Sequence, residues 1–211
     1  MSFFLFLIPC LNLQSSTYPE HWWRPVDPRT APNWEVLPQD AGPEEVVLSK
    51  RNELGILSNF AHTPFKLDGV TYQSVEGFWQ MMKFPVNKND PRLDPRVKWK
   101  YSRKQVANMV GFQAKKAGSH ANSNLKELGI KWITYKNKRI WPYVFWKGSH
   151  YRLIKRALWA KVTQNPRVKK VLMKTGYLFL IPDHHIDPKA PPPWNYHRIW
   201  MDIREDLRIY R

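Results

Sequence analysis

Residues 54–84, LGILSNFAHTPFKLDGVTYQSVEGFWQMMKF, decide how the chain is read. Phe65, Leu67 and Val70 flank Asp68-Gly69, a dipeptide that favours a tight turn because Gly accepts positive φ, so the spacing predicts a short hairpin. Ser74 then fits a helix N-cap, with Glu76 in the first turn, where a carboxylate meets unpaired backbone N–H groups. The helix that follows has two faces. Val75, Phe78 and Met82 form an apolar stripe, while Glu76, Gln80 and Lys83 recur at intervals of four and three along another side, placing them where they would enter a pocket.

Outward from this stretch the chain has 211 residues, enough for one domain with a real core. Hydrophobic residues make up 43% of it and its mean hydropathy is −0.57, as in soluble globular proteins. The formal net charge of +17 is the unusual quantity. It points to a polyanionic partner or a phosphate-bearing substrate, the plain alternative being a solvated basic surface. The single cysteine, Cys10, excludes an internal disulfide framework, and no Cys/His spacing reads as zinc. His184 and His185 are adjacent and poorly placed to converge on one metal, so neither metal nor cofactor is expected.

Residues 1–13, MSFFLFLIPCLNL, are apolar but too few to span a bilayer. No Lys or Arg precedes the run and no small-x-small cleavage site follows it, so a signal peptide is the minority reading. A segment packed on the domain, or a start codon placed too far upstream, is the alternative. Stable membrane insertion is not expected, and a cytoplasmic or nuclear setting is favoured over export by an atypical signal peptide. Residues 14–42 lack a sustained period and carry Trp22, Trp23 and Trp34, too apolar for a free linker. Residues 1–42 therefore read as an apolar segment and an irregular arm lying on a domain of residues 43–211.

Within that domain residues 45–49 read as a strand leading into Lys50-Arg51, a basic pair suited to a phosphate or simply to solvent. Residues 85–95 read as a proline-rich loop, and residues 96–116 as a basic helix. Residues 117–145 interleave Lys126, Lys131, Lys136, Lys138 and Arg139 with Trp132, Tyr135, Trp141 and Tyr143. Cations that neutralise phosphates and aromatic faces that stack bases are the components of sequence-tolerant DNA or RNA binding. An extra helix pair with buried aromatics is the competing reading. Further on, Leu153, Ile154, Ala157, Leu158 and Val162 make a helical stripe, Pro166 opens another helix that Gly176 stops, and residues 196–211 form an amphipathic helix with Ile199, Ile203 and Leu207 inward.

The opening stretch resembles the NADAR family, the YbiA-like N-glycosidases, through Ser58-Asn59-Phe60, Leu67-Asp68-Gly69, Ser74-Val75-Glu76 and Gln80-Met81-Met82-Lys83-Phe84. The resemblance resumes from Trp146 to Asp187, with residues 117–145 as an insertion. Gly77 stands where members commonly carry His, Phe112 where an Arg is common, and Pro188 to Trp194 where a glycine-rich loop is usual. Were that Arg a phosphate ligand, Lys115 or Lys116 would have to replace it.

The resemblance implies a mainly helical α+β domain with a small antiparallel sheet and a pocket for ribose joined to a nitrogen base. Cleavage of that bond passes through an oxocarbenium-like state that calls for negative charge beside the ribose. Glu76 and Asp187 are the implied carboxylates, and Lys83, if desolvated, is a nucleophile able to form a Schiff base with the opened sugar. Trp146 is the implied flat face for the base, and Asn59, Phe60, Lys50, Arg51 and Gln80 the further substrate contacts. ADP-ribose on guanine or on nucleic acid is the leading substrate. Phosphoribosylamino-pyrimidine intermediates of riboflavin synthesis are the second, and a silent module binding ADP-ribose or nucleic acid is the third reading.

Overall fold

The structure, a computed structural model, describes residues 18–209; residues 1–13, with the readings attached to them, lie outside that range. The fold is mainly helical α+β, built around a short helix, α1 (Val75–Met81). Ser74 caps it, its hydroxyl accepting the Gly77 N–H at 2.9 Å while donating to the Met109 carbonyl at 2.8 Å. Val75, Phe78 and Met81 are buried, and α1 packs against α2 (Arg103–Ala107), α3 (Gly111–Glu127) and α4 (Ser149–Gln164). Gly77 makes this possible. A Cβ there would lie 2.5 Å from the Met109 carbonyl oxygen and 2.9 Å from that of Val106, so only glycine admits the α2–α3 connection so close.

Among the described residues there are three two-stranded sheets. The hairpin of β2 (Phe65–Leu67) and β3 (Val70–Tyr72) turns through Asp68 and Gly69, both at positive φ, as a tight two-residue hairpin requires. A second hairpin joins β4 (Ile133–Tyr135) to β5 (Lys138–Ile140). The third sheet pairs β1 (Glu45–Val47) in parallel with the distant β6 (Phe179–Ile181), with Val46 opposite Leu180. The expected small antiparallel sheet is present as the two hairpins, and beside them a parallel pair that the sequence did not announce closes the domain and brings the two ends of the chain's core together. Helices α5 (Pro166–Lys174) and α6 (Tyr196–Ile209) complete the layer beside it, with Ile199, Ile203 and Leu207 buried.

Two further expectations change. The basic helix of residues 96–116 is two helices, because Ser102 and Gln105 form a reciprocal capping box at the start of α2, and Gly111, at φ +53°, begins a new helix whose N–H is anchored on the Phe60 carbonyl. Residues 117–145 hold the second half of α3 and the β4–β5 hairpin, not an extra helix pair. The proline-rich loop is pinned from within: the fully buried Arg92 donates to Asp90, to the Met82 carbonyl and to Thr134 Oγ1.

In the arm, Trp22 is fully buried and donates to Glu53, while the Val36 N–H bonds the Asp183 carbonyl and Glu35 bridges His184. Among the described residues no helix is long and apolar enough to cross a membrane.

Candidate functional site

A cavity of about 860 Å³ opens beside α1 and receives its polar face. Helical spacing carries Glu76, Gln80 and Lys83 to its wall, with Lys83 just beyond the last helical residue. Glu76 is 7% exposed and accepts from Gln80 Nε2 at 2.7 Å. Burial raises its pKa above the ordinary carboxylate value, against the pull of that hydrogen bond and of Lys83, Lys115 and His184. Lys83 is 8% exposed, and burial lowers its pKa to about 8, with Glu76 opposing. The pair therefore holds an acid reluctant to ionise and an amine that is partly neutral near pH 7, a combination suited to proton transfer and nucleophilic attack.

Asn59 Oδ1 and Gln80 Oε1 are buried without hydrogen-bond partners, and both residues line the cavity. Two unsatisfied carbonyl oxygens on residues of one cavity wall call for donors, such as the hydroxyls of a sugar. Asn59 is held in turn by its backbone. Its carbonyl accepts the Glu76 N–H at 2.9 Å, and the carbonyl of Ser58 accepts Nζ of the fully buried Lys161 at 2.8 Å.

Two aromatic clusters line the cavity. Phe60 meets Phe112 edge-on at 5.2 Å, with Trp34 at 6.3 Å from Phe112, and Lys50 Nζ lies 5.3 Å from the Phe60 ring. Trp79 lies 6.3 Å from Trp194, which meets Tyr143 at 6.0 Å. Trp79 also presents its ring edge-on to His150, whose pKa burial lowers to about 4. A third group joins Lys50, Asp183, His184 and Tyr196. Lys50 Nζ bonds Asp183, whose other oxygen meets His184 Nδ1 at 3.1 Å, and His184 stacks on Tyr196. Burial works to raise the Asp183 pKa, yet His184 and Lys50 hold it below its ordinary value. The imidazole therefore faces the cavity backed by a carboxylate.

The residues singled out from sequence divide accordingly. Lys50, Asn59, Phe60, Glu76, Gln80 and Lys83 lie on the cavity, as do Lys126, Lys131 and Trp132. Asp187 does not: it is exposed, away from the cavity lining, and accepts the Lys189 N–H at 2.8 Å in a local turn. The cavity's second carboxylate neighbour is Asp183, buried because β6 ends against the arm. Trp146 is 67% exposed and also outside the lining, and Trp79, Trp194 and Tyr143 supply the flat faces instead. Arg51 is withdrawn into a two-bond pair with Glu35, each bond 2.7 Å.

Trp132 already carries two guanidinium groups, Arg92 at 4.9 Å and Arg139 at 4.4 Å from its ring centre, so it is not a free stacking face. Lys136 pairs with Asp68 at 3.2 Å, and Lys138 and Arg139 sit on β5, outside the cavity. Trp79 was legible in principle, standing three residues after Glu76 and four before Lys83. Trp34, Trp194 and His184 carry no local signal; tertiary packing alone delivers them. Among the described residues no group of three or more His, Cys, Asp or Glu could hold a metal ion.

No protein-family model and no curated protein matches the chain. Among solved structures it is similar to the NMR structure of the E. coli protein YbiA, at 19% identity over 81% of this chain and 89% of that one, with a TM-score of 0.49. At that identity the likeness says nothing of chemistry.

Proposed function

We propose that the cavity cleaves an N-glycosidic bond between ribose and a nitrogen base. The observation that carries this reading is the coupling, along one side of α1 and the residues just after it, of Glu76, its pKa raised by burial, with Lys83, its pKa lowered to about 8, in an aromatic-walled cavity. The departing base takes the electron pair of the broken bond and needs a flat site. Trp79, Trp194 and Tyr143 supply it. The ribose hydroxyls would satisfy the buried, unpaired acceptors Asn59 Oδ1 and Gln80 Oε1 behind the cavity wall.

In the direct route Glu76, when ionised, takes a proton from the attacking water and stabilises the positive charge that develops on the sugar. In the covalent route neutral Lys83 attacks the anomeric carbon as the bond to the base breaks. The ring C–O bond then opens, with the amine's proton passing to the ring oxygen to leave a Schiff base, and water hydrolyses it to release the sugar and the amine. His184, held by Asp183, is a proton donor for the base nitrogen in either route. ADP-ribose on guanine or on nucleic acid is the favoured substrate, because the cavity is at the upper end of the ordinary range for small-ligand sites and Lys50, Lys115, Lys126 and Lys131 all line it.

The test is to incubate the protein with ADP-ribosylated DNA, with ADP-ribosyl-guanosine and with a phosphoribosylamino-pyrimidine, following sugar release by mass spectrometry. Glu76→Gln is expected to lower turnover roughly 10²- to 10⁴-fold while ADP-ribose still binds. Equal rates for Glu76→Gln and parent would remove Glu76 from the mechanism. Binding of ADP-ribose with no release from any of the three substrates would leave a binding module.

A further inference from the structure

Across residues 95–182 the chain has twenty-one Lys and Arg against one acid, Glu127. This segment, rather than the chain as a whole, carries the basic excess. Several of its cations are neutralised locally, since Lys136 and Arg156 pair with Asp68, Lys147 with Asp202 and Lys155 with Asp206. Lys115, Lys126 and Lys131 line the cavity and pair with no acid among the described residues. On α3 the spacing of Lys115, Ser119, Asn122 and Lys126 follows the helical period, so one face of the helix presents two cations and two hydrogen-bonding side chains to the cavity. Lys115 and Lys126 are about 16 Å apart along the helix axis. A single phosphate reaches one of them; a chain of phosphates reaches both and continues to Lys131.

Beside this rail runs the segment Trp141-Pro142-Tyr143-Val144-Phe145-Trp146, whose Pro142 and Tyr143 line the same cavity. Trp141 is 57% exposed, Tyr143 56%, Phe145 75% and Trp146 67%. Four large aromatic side chains left this open within six residues are costly to a soluble surface unless they meet a partner. Unlike Trp132, none of Trp141, Phe145 and Trp146 has an aromatic or cationic side chain against its ring among the described residues.

We infer that the α3 rail and the 141–146 loop form a binding track for single-stranded nucleic acid. The backbone lies along Lys115, Lys126 and Lys131, flanking bases stack on Trp141, Phe145 and Trp146, and one nucleotide turns into the cavity. Cations in a line with adjacent open rings are the components of sequence-tolerant strand binding. An anionic bilayer also recruits aromatic and basic side chains, but a planar membrane cannot follow cations set into a concave wall. The inference deepens the glycosidase reading and rests on it for what happens to the nucleotide in the cavity.

Binding of a labelled oligo(dT) strand to the full chain, followed by fluorescence anisotropy over a range of salt, tests it. The affinity is expected to fall steeply with salt, with a log–log slope of about −0.7 for each phosphate contact, and the double variant Lys126→Ala/Lys131→Ala to flatten the slope by about 1.4. Phe145→Ala and Trp146→Ala should each weaken binding about five- to 150-fold, with near-UV dichroism unchanged to show an intact fold. A slope near zero in the parent, or loop variants that bind as the parent does, overturns the track. So does loop-dependent binding to vesicles containing anionic lipid with none to the strand. Release of base from a free nucleoside substrate without strand binding refutes the track alone, whereas strand binding by a protein that cleaves no substrate refutes the glycosidase reading alone.

Discussion

Lys161 links the stability of the domain to the shape of the cavity, and the link has a defined pH dependence. Its side chain is fully buried on α4, its Nζ bonds the Ser58 carbonyl at 2.8 Å and lies 5.7 Å from the Trp200 ring centre, and no acid pairs with it among the described residues. Burial lowers its pKa from 10.5 to about 7. Below pH 7 both the folded and the unfolded chain carry the proton, and folding bears the full cost of burying a charge. Between pH 7 and 10.5 the unfolded chain holds more protons than the folded one, so stability rises with pH.

At about 1.4 kcal/mol for each unit, Lys161 is expected to contribute a rise of about 3 kcal/mol from pH 6 to pH 9. Lys161→Met removes the titration and the bond to Ser58, which is worth about 1.5–3 kcal/mol while the donor is charged and about 0.5–1.5 kcal/mol once it is neutral. Urea unfolding of parent and variant at several pH values, with equal m-values, isolates the difference, since all other groups titrate in both. The parent's stability should climb relative to the variant's across that window. Parallel curves would refute the reasoning, showing that Lys161 is not held in its depressed state by burial.

Three further outcomes follow from the same geometry. If Lys83 attacks the sugar, borohydride should trap a sugar adduct on the parent and none on Lys83→Ala, and the trapped fraction should increase as pH rises through about 8, where the amine loses its proton; an adduct yield that falls over that range would exclude the amine as nucleophile. Gly77→Ala places a Cβ 2.5 Å from a backbone carbonyl oxygen, so denaturant unfolding should show a loss of about 1–3 kcal/mol or more, in contrast to the gain of about 1 kcal/mol that Ala brings to an open helix position. Asp183→Asn should reduce turnover on a base that needs protonation more than on one carrying a good leaving group, because it weakens the hold on His184; equal losses on both would make Asp183 structural.

The local elements of this protein were written in local sequence. Asp68-Gly69 set the hairpin because both positions need positive φ, Ser74 set the start of α1, and the four-and-three spacing of Glu76, Gln80 and Lys83 put them on one side regardless of what they face. The division of residues 96–116 into two helices was also readable, in Ser102 with Gln105, but hydrophobic period alone passes over a cap. What stands opposite α1 was not readable. Asp183 and His184 reach the cavity because β6 pairs in parallel with β1 across more than a hundred residues, and Trp34 because the arm bonds backbone to backbone at Asp183. Asp187, only four residues further on, turns to solvent. Which side chains converge depends on these long-range pairings, whose partners have no period or spacing in common. Burial, and with it the opposed shifts of Glu76 and Lys83, is a property of the closed cavity: local sequence determined which groups could titrate, and tertiary packing determined where.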